Sequence, residues 1–390
     1  MAISSGTTYE AVQLHHNTLK ADKSAAYGPP ASHVVSRKGY DEAFSEISCW
    51  PGYGQTPLHD LSGLAAVVGI GRLYYKDEGD RFGLGSFKAL GGAYAVKRLL
   101  KGCNPDEVTV ACATDGNHGR SVAWGAQMAG CRCVIYIHKG VSEARKLAIE
   151  AFGAEVRRCD GDYDASVRIA AIDAEREGWI VVSDTSYDGY MEIPGIVMQG
   201  YTVMVQEVLE QLPIGEIPTH VFLQGGVGGL AGAVVGHFWE TFGEDRPRFV
   251  IVEPERADCL FQSALAGRPS NASGDLETIM AGLSCGEISL IAWDILAPGT
   301  DDFLTIPDDM AADAMRRLAN PEPGDTAIVA GESAVAGLAV VLAAGKDRAL
   351  ADALGLTGES RVLVIGSEGA TDPELYRSIV GRSADKILAS

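Results

Sequence analysis

Val108-Thr109-Val110-Ala111-Cys112-Ala113-Thr114-Asp115-Gly116-Asn117-His118-Gly119 reads as a strand, a tight turn and a helix start in direct succession. Val108–Ala113 is a short apolar run of the length and composition of a buried strand. Gly116 and Gly119 let the backbone turn sharply, and the helical pattern His118–Met128 follows. Free N–H groups at such a helix start suit an anion such as a carboxylate. Asp115 and Asn117 are also ordinary turn and capping residues, so a plain capped turn is the alternative.

The same alternation runs along the chain. Leu73–Lys76, Cys133–Ile137, Glu155–Arg158, Trp179–Ser183, His220–Leu223, Phe249–Val252 and Arg361–Ile365 are further candidate strands. Between them lie helical patterns at Phe87–Leu100, Ser142–Phe152, Ala165–Glu177, Gly195–Leu212, Leu230–Thr241, Asp309–Leu318 and Ser333–Ala344. Continuous apolar strands separated by amphipathic helices predict an α/β protein with parallel sheets covered on both faces. In such sheets, ligands gather at the carboxyl ends of the strands. Residues 1 to 50 are only weakly periodic and predict an irregular extension wrapping the body or a partner subunit.

The balance of 32 Lys and Arg against 52 Asp and Glu gives a net charge of −20. With no basic cluster, it argues against nucleic acid and anionic membrane as partners. Met1–Lys20 lacks the apolar core of a signal peptide, and the run Ala334–Ala344 is too short for a bilayer. The eight cysteines show no framework spacing, which predicts a cytoplasmic protein. Cys131-Arg132-Cys133 leads into an apolar run and reads as part of a strand; no metal site is predicted.

Three further motifs carry chemistry. Arg81-Phe82-Gly83-Leu84-Gly85-Ser86-Phe87-Lys88 places a lysine at a helix start after a glycine-bearing loop. Partial burial or a helix N-terminus lowers a lysine's pKa and makes its amine a nucleophile. Gln224-Gly225-Gly226-Val227-Gly228-Gly229 is a strand-to-helix turn whose N–H groups can point at a phosphate. It matches neither the dinucleotide fingerprint nor the P-loop. Gly366-Ser367-Glu368-Gly369 follows the last strand and leaves a serine hydroxyl at a strand end.

These motifs, in this order, resemble the tryptophan synthase β and threonine dehydratase family of pyridoxal phosphate enzymes (fold type II), from about Gln55 to Ser378. That resemblance implies two parallel-sheet α/β domains. Residues 1–106 and 191–390 would form a large cofactor-binding domain, and 107–190 a small inserted one. It implies Lys88 as the Schiff-base lysine, Asn117 on the ring hydroxyl, and Gly225, Gly226, Val227, Gly228 and Gly229 as the phosphate cup. Ser367 would face the pyridine nitrogen. It also implies pyridoxal 5′-phosphate as cofactor, a small amino acid as substrate, and a homodimer.

Within that family, Arg81-Phe82-Gly83-Leu84, Thr114-Asp115-Gly116-Asn117-His118-Gly119-Arg120 and Ser367-Glu368-Gly369 look like the diaminopropionate ammonia-lyases. The implied reaction is α,β-elimination of D- and L-2,3-diaminopropionate to pyruvate and ammonia. The alternative is a serine or threonine dehydratase, or an eliminase of another β-substituted amino acid. Asp115, where the dehydratases usually carry serine, would be a second base opposite Lys88 and a partner for a β-ammonium. Thr114, Gly116, His118 and Asp184 are the remaining substrate-side candidates. Glu332 is placed near the ring or at a helix start. The resemblance also allows a bridge between Cys259 and Cys285, which an intracellular setting disfavours.

Overall fold

A computed structural model of the chain describes residues 7–9, 11–114, 116–161 and 163–389. Among these residues, twelve strands form two sheets. They are β1 (Thr7–Tyr9), β2 (Val12–His16), β3 (Leu58–Asp60), β4 (Arg72–Asp77), β5 (Thr109–Ala113), β6 (Arg132–His138), β7 (Glu155–Cys159), β8 (Ile180–Val181), β9 (His220–Gln224), β10 (Arg248–Pro254), β11 (Asp302–Ile306) and β12 (Arg361–Gly366). The large sheet runs β1-β2-β11-β10-β9-β12-β4-β3, and the small one β7-β6-β5-β8. The small sheet is parallel throughout, as is the centre of the large one from β11 to β4. β9 and β11 are buried along their whole length, as strands covered by helices on both faces should be.

All eight strands expected from the pattern are present, although Trp179–Ser183 pairs only over Ile180–Val181. The N-terminal segment is more regular than expected. Val12 and Leu14 are buried, and β2 adds an antiparallel edge to β11 with Leu14 opposite Leu304. Helix Arg37–Ile47, capped by Ser36, buries Tyr40, Ala43 and Ile47. The stretch looks aperiodic because each piece is short and half exposed. The pattern Ser333–Ala344 divides into a 3-10 turn, Glu332–Ala334, and a helix, Ala336–Ala344.

β11 gives a weak signal because it opens on Asp302. That buried carboxylate is held by Arg248 through Nε at 2.6 Å and Nη2 at 3.0 Å, and by His16 Nδ1 at 2.6 Å.

The lysine loop is anchored from below by charges. Lys76, Glu78, Arg81 and Glu207 are all buried. Arg81 reaches Glu78 from Nε (2.8 Å) and Nη2 (2.6 Å), and Glu207 from Nη1 (2.9 Å) and Nη2 (2.6 Å). Lys76 Nζ completes the cluster on Glu207 at 2.9 Å. Two cations and two carboxylates cancel, so no net charge is left in the interior. From the sides, helix Lys88–Leu99 is gripped at two glycines. A Cβ on Gly200 would lie 2.0 Å from the Leu90 carbonyl oxygen, and one on Gly92 would lie 2.6 Å from Ser121 Oγ. The neighbouring helices therefore approach close enough to fix the position of Lys88.

Candidate active site

The two glycine turns, the lysine and the last strand converge on one cleft. Lys88 is the first residue of its helix, and the carbonyl of Ser367 accepts the Phe87 N–H at 3.0 Å. Gly369 N–H donates to the Gly85 carbonyl at 3.0 Å, and Glu78 N–H to that of Gly366 at 2.8 Å. The end of β12 is thus stitched to the lysine loop. The Ser367 side chain is buried, and among the described residues its Oγ makes one long contact, at 3.5 Å, with the Ser333 carbonyl.

Asp184, just beyond β8, pairs directly with the Lys88 ammonium. Burial pushes the Lys88 pKa down, but the Asp184 carboxylate, assisted by Tyr201, outweighs it and holds the ammonium above the ordinary lysine range. The sequence led to the opposite expectation, because nothing in the spacing shows that a carboxylate 96 residues away closes on this amine. Burial likewise pushes Asp184 up, and Lys88 followed by His118 overrides it, holding the carboxyl well below its usual range. His118 is buried. Its Nε2 is 2.8 Å from the Val182 carbonyl and its Nδ1 3.8 Å from Asp184 Oδ2. Burial lowers its pKa, opposed in part by Asp184.

The loop after β5 is shaped by Thr114. Its Oγ1 accepts the N–H groups of Gly116 (3.0 Å) and Gly119 (3.1 Å), so that oxygen builds the turn. Gly116 has φ +153°, and a Cβ there would lie 3.2 Å from Arg145 Cδ. Asp115 lies outside the described residues. The Asn117 amide donates to Glu368 Oε2 at 2.5 Å, while Glu368 Oε1 accepts the Ser333 N–H at 3.1 Å. Glu332 is buried beside Glu368 and takes Arg145 Nη2 at 2.9 Å. Burial, then Glu368, pushes the Glu332 carboxyl up to about 8, against the pull of Arg145.

The glycine turn after β9 holds Gly226 at φ +59° and Gly228 at φ +98°, both left-handed. It delivers the start of helix Gly229–Phe242 into the cleft, and a helix's first N–H groups have no acceptor within the helix. Cys259 Sγ lies 3.5 Å from the Gly226 carbonyl, and Cys285 Sγ is 3.9 Å from where a Gly226 Cβ would be. Both cysteines are thiols, on either side of this turn. Beneath it, Glu253 is buried and accepts the N–H groups of Leu260 (3.1 Å) and Phe261 (2.7 Å).

A family model described as "Pyridoxal-phosphate dependent enzyme" matches residues 49–368. The chain belongs to this family. Within it, a diaminopropionate ammonia-lyase of Salmonella typhimurium is 42% identical over 96% of this chain and 100% of its own length. One of Escherichia coli is also 42% identical, over 84% and 88%. The crystal structure of the holo Escherichia coli diaminopropionate ammonia-lyase has a TM-score of 0.88 at 37% identity, covering 96% of this chain and 98% of that one. The same lyase in complex with an aminoacrylate-PLP azomethine reaction intermediate matches with TM-score 0.88 at 38% identity, covering 97% and 98%. The chain is therefore a diaminopropionate ammonia-lyase relative with the two-domain α/β fold of the pyridoxal phosphate enzymes.

The cleft fits that cofactor. Lys88 stands beside Asp184, a carboxylate that can take its proton and free the amine for the cofactor aldehyde. A left-handed glycine turn and helix start suit a phosphate, and Ser367 offers a buried hydroxyl with one long contact among the described residues. Tyr201, Glu368 and Arg145 join the site without having been expected. Glu368 was within reach, since it follows Ser367 in the last motif. Tyr201 lies in a largely buried helix, where nothing in the sequence distinguishes its hydroxyl from core packing.

Proposed function

We propose that this protein eliminates both amino groups of 2,3-diaminopropionate to give pyruvate and two ammonia. The observation that carries the reading is the Asp184 carboxylate against Lys88, in the same cleft as the glycine turn and the Thr114–Gly119 loop. It adds to the likeness to named diaminopropionate ammonia-lyases. A diamino acid brings an α-carboxylate and a β-ammonium; the loop's helix start suits the first and Asp184 the second.

Bound pyridoxal phosphate supplies the electron sink that lets the Cα proton leave. Lys88 holds the cofactor covalently. Gly225, Gly226, Val227, Gly228 and Gly229 take its phosphate, Asn117 its ring hydroxyl and Ser367 its ring nitrogen. Glu368 orients the Asn117 amide through its 2.5 Å bond. The released Lys88 amine removes the Cα proton of one enantiomer and Asp115 that of the other. The β-ammonium leaves as neutral ammonia with the electron pair of its Cβ–N bond and then takes the proton gained from Cα, so no net proton accumulates on the protein. Ser367, a neutral hydroxyl, does not hold a proton on the ring nitrogen, which favours prompt elimination. Residues 107–190 act as a small domain closing on a large one, in a homodimer in the cytoplasm.

The test is pyruvate release by the cofactor-loaded protein from diaminopropionate, L-serine and L-threonine, offered separately. Preference for diaminopropionate by at least tenfold in kcat/KM is expected. A preference for serine or threonine would make this a dehydratase and remove the β-ammonium from the role of Asp184.

A further inference from the structure

Tyr201 is 1% exposed, and among the described residues its hydroxyl closes no hydrogen bond within 3.5 Å, Lys88 being the side chain that acts on it. The ring is held rigidly. It packs on Phe87 with ring centroids 4.6 Å apart, and its edge lies where a Gly91 Cβ would come within 2.4 Å of Cε1. On its other side, Cε2 is 3.9 Å from where a Cβ on Gly229 would be. The tyrosine is therefore wedged between the lysine helix and the start of the glycine-turn helix. Lys88 Nζ is 6.0 Å from the ring centroid, and Lys88 and Asp184 are the charged groups the phenol faces.

A buried phenol without a partner is costly, by about 1–3 kcal/mol, and calls for an occupant. Lys88 is a flexible donor beside it, and its amine is held by Asp184 in the resting cleft. Under the proposed function, on which this inference rests, Asp184 turns to the β-ammonium of the substrate. Lys88, once it has taken the Cα proton, is then a buried ammonium that has lost its acceptor.

We infer that Tyr201 is a positioning residue whose hydroxyl oxygen is the second seat of the Lys88 ammonium, taken when Asp184 binds substrate. No proton moves to the phenol. One N–H of the ammonium donates to the tyrosine oxygen, and its extra proton later passes to the ammonia released from Cβ. This seat also keeps the released lysine on one side of the substrate, where its proton must be delivered.

The test is Tyr201→Phe, which keeps the ring and removes only the oxygen. In the cofactor-free protein, the rate at which added pyridoxal phosphate is captured, read from its visible absorbance band, reports the free amine of Lys88. With Asp184 in place the ammonium keeps its first seat, so the profiles compared are those of Asp184→Asn with and without Y201F, where the phenol is the seat that remains. A hydrogen bond to a charged group corresponds to about one pH unit, so adding Y201F to D184N should move the capture profile down by about one unit. In the loaded enzyme, kcat for diaminopropionate should fall about tenfold with KM within about twofold. Thermal unfolding of the cofactor-free variant should match or exceed the parent, because no hydrogen bond is lost. An unmoved capture profile overturns the inference. So does a profile unmoved while cofactor affinity drops tenfold, which would assign the phenol to the phosphate. The capture profile needs no substrate, so it still decides on Tyr201 if the parent proves inert toward diaminopropionate, an outcome that would instead sink the proposed function.

Discussion

Replacing Arg81 by methionine should destabilise the protein severely, and increasingly so as pH rises. Arg81 makes six hydrogen bonds, four of them to Glu78 and Glu207, and its removal changes the buried cluster from neutral to one net negative charge. Glu78 would keep only Thr56 Oγ1 at 2.5 Å and the field of Lys76. Breaking one partner out of a buried ion network costs about 3–5 kcal/mol. The pH sign follows from Glu78. Burial pushes its carboxyl up, and in the parent Arg81 overrides this and holds it below the ordinary range. Its contribution is therefore present above the unfolded carboxylate pKa of about 4.3 and lost below it. Without Arg81, burial governs and the folded pKa rises above the unfolded one. The variant is then least impaired near about pH 5 and most impaired near about pH 8. Urea unfolding of cofactor-free parent and R81M, followed by tryptophan fluorescence at both pH values, measures this. A loss under about 1 kcal/mol at both, or a deficit that shrinks as pH rises, refutes the reasoning.

Other outcomes follow from single contacts. Gly200→Ala puts a methyl 2.0 Å from a backbone oxygen two residues beyond Lys88, so it should cost about 1–3 kcal/mol or more and depress turnover; a variant melting with the parent contradicts the close approach. Glu253, raised to about 8 by burial, makes the folded parent lose stability as pH climbs from about 5 to about 8, and Glu253→Gln should flatten that slope. Parallel pH–stability curves for the two proteins would mean that Glu253 ionises normally. Asp184→Asn removes the anion that raises Lys88, so the cofactor-free variant should capture pyridoxal phosphate at lower pH, while KM for diaminopropionate rises about tenfold; an unchanged KM would detach Asp184 from the substrate. Asp115→Asn should spare one enantiomer of diaminopropionate and depress the other, and equal losses on both would dismiss the second base.

The sequence shows the parallel strands and the loops at their ends because both are local signals. A run such as Val108–Ala113 can be buried on two faces only as a strand between helices, and Gly226 and Gly228 mark left-handed turns directly. What escaped depends on distant partners. β11 hides behind Asp302 until Arg248 pairs with it and His16 Nδ1 meets it. The protonation of Lys88 is set by Asp184, which no spacing ties to it, and it came out opposite to the effect of burial alone. The Asn117 amide looked free for a ligand, yet one of its hydrogens belongs to Glu368. Tyr201 is visible only once three helices are packed together.

The most direct test of the central claim is the ratio of ammonia to pyruvate released by the cofactor-loaded protein from each enantiomer of diaminopropionate. Two ammonia per pyruvate from both enantiomers is the predicted result. One ammonia per oxoacid from serine or threonine, with both diaminopropionate enantiomers inert, would contradict it.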